Sequence, residues 1–310
     1  MGRMTSGLIP IHGSASCAHY LNGQTVSMLE KPTASKKYGI AIIANDRVID
    51  WLLPFLESYQ ATSAAIPLFL IPYDDNMART RRAADVYGVE VVDIDSAELD
   101  ALARRLYPLN PGHRRRLRKL LALALPLDEV IYLDVDIILL RDFSRVFGKL
   151  EAGKSEFVVA CRCHDYVYNS RHVQYDFLRD ALLFNDGFFA TSRHMLSLQD
   201  FYDVIEADEK TFHAVRQRGG LFAQPLTNFV VHRRGLKISQ LAECIPGASG
   251  ESYYKAKGIT LTEGGPLDEH GNEIYFCHWP GIIGLPGRRV FDGLWHEFAR
   301  RAAVRMNEFA

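Results

Sequence analysis

The sequence predicts an α/β fold in which a mostly parallel sheet is flanked by helices within a single domain. Short apolar runs rich in β-branched residues alternate with segments whose apolar residues recur at helical spacing, and this alternation is typical of βαβ units. The chain has 310 residues, of which 48% are hydrophobic, so it is long enough for one large core. The predicted domain covers residues 37–300, between an irregular lead-in over 1–36 and a C-terminal end over 301–310.

The first predicted unit is a strand followed by a helix. Tyr38–Ala44 is an apolar run that ends at Asn45-Asp46, which indicates a strand buried on both faces with a polar carboxyl end. Apolar residues between Val48 and Tyr59 then follow a helical stripe that Asp46 is placed to cap, with a kink expected at Pro54. The same pattern continues with predicted strands over 66–71, 89–93 and 129–134, and predicted helices over 77–87, 97–107 and 112–125.

Composition and charge exclude several classes of protein. The 36 basic and 37 acidic residues give a net charge of -1, which argues against a nucleic-acid partner. No apolar run approaches the roughly 18 residues of a membrane span, and the first 30 residues lack the apolar core of a secretory signal, so a cytoplasmic protein is expected. Five scattered cysteines predict free thiols, since Cys161-Arg-Cys163-His164 lacks a second ligand pair for zinc.

Polar residues follow three of the predicted strands. They are Asn45-Asp46, Asp74-Asp75 and Asp134-Val135-Asp136. Because ligands of open parallel sheets gather at the carboxyl ends of the strands, these side chains are expected to face one crevice. The sequence therefore places the candidate chemistry at this edge of the sheet.

Asp134 and Asp136 close an otherwise apolar strand, where ionised carboxylates are costly unless a cation or a donor pairs with them. Residues at i and i+2 of an extended backbone point to the same side. Oxygen ligands of this kind suit Mg²⁺ or Mn²⁺ holding a phosphate-bearing substrate. The alternative is a strand-end turn that is acidic without binding a metal.

Further features raise the weight of the metal-site interpretation. Phe184–Phe189 places polar groups and a glycine before an apolar run, as the close approach of a substrate requires. His278 follows another short apolar run, Ile274–Phe276. Arg118 and Lys119 lie just ahead of the acidic strand, where a cation can balance the acidic groups. The other residues of this basic run are expected to form a solvated helix face, and only Arg118 is expected to have a role in the site.

Four motifs, in chain order, resemble those of a known family: Arg118 with Pro126 eight residues later, Tyr132–Asp136, Phe184–Gly187 and His278–Gly281. They match the R…P run, the YLDxD motif, the FNxG motif and the late HxxG motif of glycosyltransferase family 8, whose members have the Rossmann-like GT-A fold. Together the motifs cover residues 38–290. The chain thus resembles a nucleotide-sugar glycosyltransferase of the GT-A fold.

That resemblance implies a metal-dependent transfer of a hexose from a nucleotide diphosphate, expected to be UDP, to the hydroxyl of an unidentified acceptor, with the retention of configuration typical of the family. It implies Mn²⁺, with Mg²⁺ as the alternative. The implied metal ligands are Asp134, Asp136 and His278; the implied nucleotide-binding residues are Asn45, Asp46, Asp134, Gly281 and Arg288; and the implied catalytic residues are Asp186, Asn185 and Arg118.

The sequence departs from the family pattern at two places. Gly284-Leu285-Pro286 occupies the stretch where the family carries a lysine that binds the diphosphate, and Arg288 or Arg289 is the expected replacement unless this pair is only a solvated face. Thr227-Asn228 is aligned with the family's Asp-Gln pair near the sugar, which removes an acid and leaves the sugar and the stereochemistry open.

Two other functions remain alternatives at this stage. The first is a phosphohydrolase of the haloacid dehalogenase type, in which the first aspartate of an Asp-x-Asp strand end is the nucleophile. The second is a non-catalytic protein that keeps the fold as a scaffold.

Residues 246–272, rich in glycine, are interpreted as a long loop that acts as a lid with Tyr253 and Tyr254.

Overall fold

The computed structural model describes residues 37–162, 178, 180–210, 223–253, 259–281, 284–287 and 291–309, with the backbone alone for 250–253. The predicted lead-in over residues 1–36 lies outside these ranges. The same holds for Cys163 of the weighed zinc motif, for Tyr254 and for the basic pair Arg288 and Arg289.

A seven-stranded sheet forms the centre of the fold, in the order β3-β2-β1-β4-β7-β6-β8. Neighbouring strands are parallel except where β7 runs antiparallel to β4 and β6. These contacts confirm the predicted mostly parallel α/β architecture. The strands are β1 (Tyr38–Ala44), β2 (Leu68–Pro72), β3 (Glu90–Val91), β4 (Glu129–Leu133), β6 (Phe157–Val159), β7 (Phe188–Ser192) and β8 (Ile238–Gln240).

A smaller sheet lies beside the carboxyl edge of the first. Its path is β10-β11-β12-β5, and β9 pairs in parallel with β12. The strands are β5 (Ile137–Leu139), β9 (Ala248–Tyr253), β10 (Thr260–Thr262), β11 (Gly265–Leu267) and β12 (Glu273–His278). The prediction of a long loop over 246–272 is therefore wrong for β9, β10 and β11. These strands consist largely of small and polar residues, so they lack the apolar alternation that indicates a strand.

Helices cover both faces of the central sheet. They are α1 (Ile49–Thr62), α2 (Ala78–Tyr87), α3 (Ala97–Leu106), α4 (Pro111–Arg116), α5 (Leu198–Ala207), α6 (Ala223–Arg233), α7 (Leu241–Cys244) and α8 (Asp292–Glu308). Among the described residues, no helix has the length and apolarity needed to cross a membrane.

The predicted helix over 112–125 is two different elements. Only α4 is α-helical, and Leu117–Ala124 continues as a 3₁₀ helix. Leu117, Leu120 and Leu123 of this segment are buried at a spacing of three residues. That spacing fits the three-residue turn of a 3₁₀ helix, although it also occurs in α-helices, so the sequence period did not separate the two.

The central strands are buried on both faces, as their continuous apolar sequences predict. Along β4, Tyr132 belongs to the apolar cluster on one face, whereas Ile131 and Leu133 belong to the cluster on the other. This alternation follows from the two-residue period of a strand. It also places Tyr132 on the face of the 3₁₀ helix, whose leucines share its cluster.

A partly buried ion pair, in which only the glutamate is shielded from water, links the C-terminal helix to α1. Glu57 of α1 accepts hydrogen bonds from Arg305 Nε at 2.9 Å and Nη2 at 3.2 Å, and from the Tyr87 hydroxyl at 2.9 Å. Burial opposes ionisation of Glu57, but the hydrogen bonds and the charge of Arg305 outweigh it and lower the pKa of Glu57 below its ordinary value. The ionised carboxylate therefore stabilises the folded state.

We expect Glu57→Gln to lower the free energy of unfolding at pH 7 by about 1–3 kcal/mol, because it removes a charged hydrogen-bond acceptor from a buried position. Since the folded-state pKa is the lower one, the contribution of Glu57 is complete above the pKa of the unfolded chain and is lost as the pH falls through the folded-state pKa. Urea unfolding at pH 7 and pH 3 measures it, with Asp50→Asn on the exposed side of α1 as the control. An equal difference between wild type and variant at both pH values would contradict the role of the charge.

Candidate active site

Three polar segments meet at the carboxyl edge of the central sheet. The parallel pairing of β1 with β4 sets Ile42 opposite Leu133, and the antiparallel pairing of β4 with β7 sets Leu133 opposite Phe188. The segments that follow β1 and β4 and the segment that precedes β7 therefore come together. They are Asn45-Asp46, Asp134–Asp136 and Asn185–Gly187.

The smaller sheet brings His278 to the same place. β12 pairs antiparallel with β5, so that His278 lies opposite Ile137, and the Trp279 amide donates to the Asp136 carbonyl at 2.9 Å. His278 Nε2 is 3.2 Å from Asp136 Oδ1. One ligand atom from each of Asp134, Asp136 and His278 lies within 4.8 Å of the others. The three residues predicted as metal ligands thus form one cluster.

The cluster fits a divalent cation. Asp136 Oδ1 is buried and accepts no hydrogen bond from the described residues. A buried carboxylate oxygen in this condition requires a positive partner. Two carboxylates and one imidazole form a donor set that suits Mn²⁺, because Mn²⁺ accepts a nitrogen ligand among oxygens more readily than Mg²⁺ does.

Gly187 is the residue that lets these groups approach one another. A Cβ at this position would lie 2.6 Å from His278 Cε1 and 3.1 Å from Asp134 Oδ2. The Gly187 carbonyl accepts from the Asp134 amide at 2.8 Å, and its own amide donates to Asn185 Oδ1 at 2.7 Å. The glycine of the Phe184–Gly187 motif is therefore required by space at the edge of the sheet.

Lys119 is the cation at the centre of the site. Its Nζ lies 3.0 Å from Asp186 Oδ1 and 3.3 Å from Asp134 Oδ1, and it stands 5.1 Å from the centre of the Tyr132 ring. The side chains of Lys119 and Asp186 are 6% and 5% exposed, so their ion pair is shielded from water, whereas Asp134 is 29% exposed. Thr227 Oγ1 donates to the second oxygen of Asp186 at 3.1 Å, and the Tyr132 hydroxyl donates to Asp134 Oδ1 at 2.6 Å.

Opposing effects act on the protonation of this cluster. Burial lowers the pKa of Lys119, but the carboxylates of Asp134 and Asp186 outweigh it and hold that pKa above the ordinary value. Burial raises the pKa of Asp186, and the charge of Asp134 adds to this against the opposing effect of Lys119. Burial also raises the pKa of Asp134, but the charges of Lys119 and His278 outweigh it and hold that pKa below its ordinary value.

Helix α6 supports the site from below and contributes a residue to its wall. Asn228 accepts from the Phe184 amide at 3.0 Å and donates to the Phe184 carbonyl at 2.8 Å, which fixes the strand lead-in. Thr227 reaches the site only through Asp186. Gln224, about one turn earlier, lines the pocket itself.

The pocket above these residues has a volume of about 570 Å³. Asn45 lies in its wall and donates through Nδ2 to Asp74 Oδ1 at 2.9 Å. Beyond the metal cluster, Lys119, Asn185 and Asp186, the described lining includes Arg47, Trp51, Tyr73, Arg116, Gln224, Trp279 and Gly281.

Two of the sequence-predicted site residues lie elsewhere. Arg118 is absent from the pocket lining and pairs with Asp100 at 2.7 Å on the outer side of the 3₁₀ helix, with a further contact to the hydroxyl of Ser96. Asp46 accepts from the Thr80 amide at 2.8 Å and from its hydroxyl at 2.9 Å, and so caps α2. The sequence analysis named Lys119 beside Arg118 as a cation ahead of the acidic strand, but gave a site role to Arg118 alone. It did not identify Gln224, whose only signal was its position about one helical turn from Thr227-Asn228.

No protein-family model matches the chain, and no curated protein matches it. Solved structures do match. The chain is similar to the apo-form glycosyltransferase GlyE of Streptococcus pneumoniae TIGR4, with a TM-score of 0.52 and 13% identity over 89% of this chain and 63% of that one. It is similar to the galactosyltransferase LgtC, in complex with donor and acceptor sugar analogues, with a TM-score of 0.54 and 14% identity over 85% and 95%.

A third similar structure is mouse xyloside xylosyltransferase 1, with a TM-score of 0.51 and 12% identity over 80% of this chain and 99% of that one. The chain spans 63% of GlyE and 53% of the bifunctional glycosyltransferase WbbM, whose sequences extend beyond the matched region. At sequence identities this low, the structural match shows a shared fold and nothing more. The protein therefore has the GT-A fold of nucleotide-sugar glycosyltransferases.

Proposed function

We propose that the protein is a metal-dependent glycosyltransferase that transfers a hexose from a UDP-sugar to an acceptor hydroxyl. The observation that carries this proposal is the cluster of Asp134, Asp136 and His278 at the carboxyl edge of a GT-A sheet, next to the buried pair of Asp186 and Lys119. The three similar glycosyltransferase structures support the reaction class. Hexose and UDP come from the motif resemblance alone.

Asp134, Asp136 and His278 would hold Mn²⁺, or Mg²⁺ as the alternative. When bound, the metal supplies a Lewis acid that neutralises charge on the diphosphate leaving group. Asn45 is placed to contact the nucleotide, since it lies in the pocket wall at the end of the first strand. Gly281, exposed at the rim with a φ of 66°, is proposed to contact the nucleotide through its backbone on the side of His278.

Asp186 and Asn185 are proposed to contact the transferred sugar, with Lys119 in the role that the sequence assigned to Arg118. Both oxygens of Asp186 are held, one by Lys119 and the other by Thr227. A carboxylate fixed on both oxygens is suited to orienting a sugar hydroxyl. This agrees with a retaining transfer in which the departing diphosphate, and not a protein base, takes up the proton of the acceptor hydroxyl. Gln224 lies in the wall of the same pocket and is proposed as a further sugar contact.

Calorimetric titration with UDP tests the proposal. We expect UDP to bind at least about tenfold more tightly in Mn²⁺ than in EDTA, because the cluster would otherwise present uncompensated carboxylates to the diphosphate. A panel of UDP-sugars, assayed for transfer and for slow hydrolysis, then identifies the donor. Equal UDP affinity in Mn²⁺ and EDTA would remove the metal role, and phosphate release from a simple phosphoester would favour the phosphohydrolase alternative. Absence of any UDP-sugar turnover would favour the scaffold.

A further inference from the structure

Two arginines line the pocket apart from the metal cluster. Arg47 follows β1 in a short 3₁₀ helix, and Arg116 is the last residue of α4. Both side chains are exposed, and both line the pocket together with Tyr73. Within the described part of the chain, no hydrogen bond or ion pair engages either guanidinium.

The acidic residue beside them is already engaged. Asp74 accepts from Asn45 at 2.9 Å and pairs with Arg115 at 3.4 Å. It is therefore not available as the main partner of Arg47 or Arg116. The two guanidinium groups leave this wall of the pocket positively charged.

The deeper part of the site has the opposite balance. Asp134, Asp136 and Asp186 with Lys119 carry a formal charge of −2, which one divalent cation would neutralise. With that cation the inner cluster carries no net positive charge, so the metal would contact the phosphate groups of a nucleotide diphosphate without balancing their full charge. Of the described residues that line the pocket, only Arg47 and Arg116 remain to supply the further positive charge that such a ligand requires.

We propose that Arg47 and Arg116 bind the diphosphate of the donor and together replace the lysine that the chain lacks at Gly284-Leu285-Pro286. This inference rests on the proposed function and names the residues that recognise its leaving group. Guanidinium groups suit the task because they donate two parallel hydrogen bonds to phosphate oxygens. Arg288 and Arg289, the replacements expected from the sequence, lie outside the described residues.

The test is titration of the full chain with UDP and with uridine in saturating Mn²⁺. Arg47→Gln and Arg116→Gln are each expected to weaken UDP binding about tenfold, the value of one charged hydrogen-bonding partner, while uridine binding stays unchanged. Arg116→Lys should recover part of the loss, because it restores the charge but not the paired geometry. Arg82→Gln is the control, since Arg82 is exposed on α2 and lies outside the pocket lining.

A loss confined to UDP, present in both variants and absent in Arg82→Gln, supports the proposal. Unchanged UDP affinity in the two variants overturns it while leaving the proposed function intact, and a fall in transfer without a fall in UDP affinity assigns the arginines to an anionic acceptor instead. Failure of the wild type to bind UDP overturns the proposed function and this inference with it. Melting temperatures close to that of the wild type are expected for all variants, because the replaced side chains are at the surface.

Discussion

Lys119→Met is expected to reduce glycosyl transfer by about a hundredfold or more and to lower the free energy of unfolding by about 3 kcal/mol. The ammonium is buried between Asp134 and Asp186, at 3.3 Å and 3.0 Å. Its removal leaves two carboxylates facing each other without a cation, and methionine keeps the packing of the aliphatic stem. Urea unfolding and transfer assays, each with and without Mn²⁺, measure the two effects.

Arg118→Met is the matched control for this experiment. It makes the same change one residue earlier, where the guanidinium pairs with Asp100 and is partly exposed. We expect Arg118→Met to keep most of the activity and to cost less than about 1 kcal/mol of stability, since ion pairs near the surface contribute little. A larger loss at Arg118 would show that the sequence-based choice of Arg118 was correct, and equal losses would contradict a role for Lys119 alone.

The choice between Arg118 and Lys119 shows where sequence information ends. Both residues belong to one basic run ahead of the acidic strand, and the motif resemblance favoured Arg118. Which of two neighbours points inward depends on the rotation per residue, about 100° in an α-helix and 120° in a 3₁₀ helix. Because the change from one to the other falls at Leu117, the sequence period could not specify which side chain enters the site.

The central sheet was accessible from the sequence because its strands are apolar on both faces and alternate with amphipathic helices. β1, β2 and β4 lie within a few residues of their predicted positions, and β3 is shorter than predicted. The second sheet was not accessible, because β9–β11 carry small or polar residues and their order depends on contacts between distant parts of the chain. Its pairing of β12 with β5 is nevertheless what carries His278 to Asp136.

The roles of individual side chains were likewise predictable from the sequence in some cases and not in others. Asp134, Asp136 and His278 were identified because ionisable side chains at the ends of apolar strands are costly unless a cation or a hydrogen-bonding partner is present. Gln224 and Thr227 gave no comparable signal, since polar residues in a helix are ordinarily solvated. Only the packing of α6 beneath the sheet shows that Thr227 holds Asp186 and that Gln224 faces the pocket.

Asp136→Asn is expected to reduce transfer by about a thousandfold and to remove most of the difference in UDP affinity between Mn²⁺ and EDTA. Asp136 offers a buried oxygen that no hydrogen bond from the described residues satisfies, 3.2 Å from His278 Nε2. An amide of the same shape keeps the packing but loses the charge. Asp136→Asn therefore tests the charge alone, whereas His278→Ala also changes the packing. The latter would leave a cavity, because the imidazole is only 1% exposed.

Direct measurement of Mn²⁺ affinity separates a ligand from a structural carboxylate. If Asp136 binds the metal, Asp136→Asn weakens Mn²⁺ binding while the melting temperature without metal stays the same or rises, because like-charge repulsion with Asp134 is relieved. If Asp136 instead serves mainly as the partner of His278, the variant loses stability without metal and keeps its Mn²⁺ affinity. Asp75→Asn, an exposed carboxylate at the end of β2 outside the pocket lining, is the control that should leave both quantities unchanged. Retained Mn²⁺ affinity in Asp136→Asn would therefore argue against the metal cluster on which the proposed transfer depends.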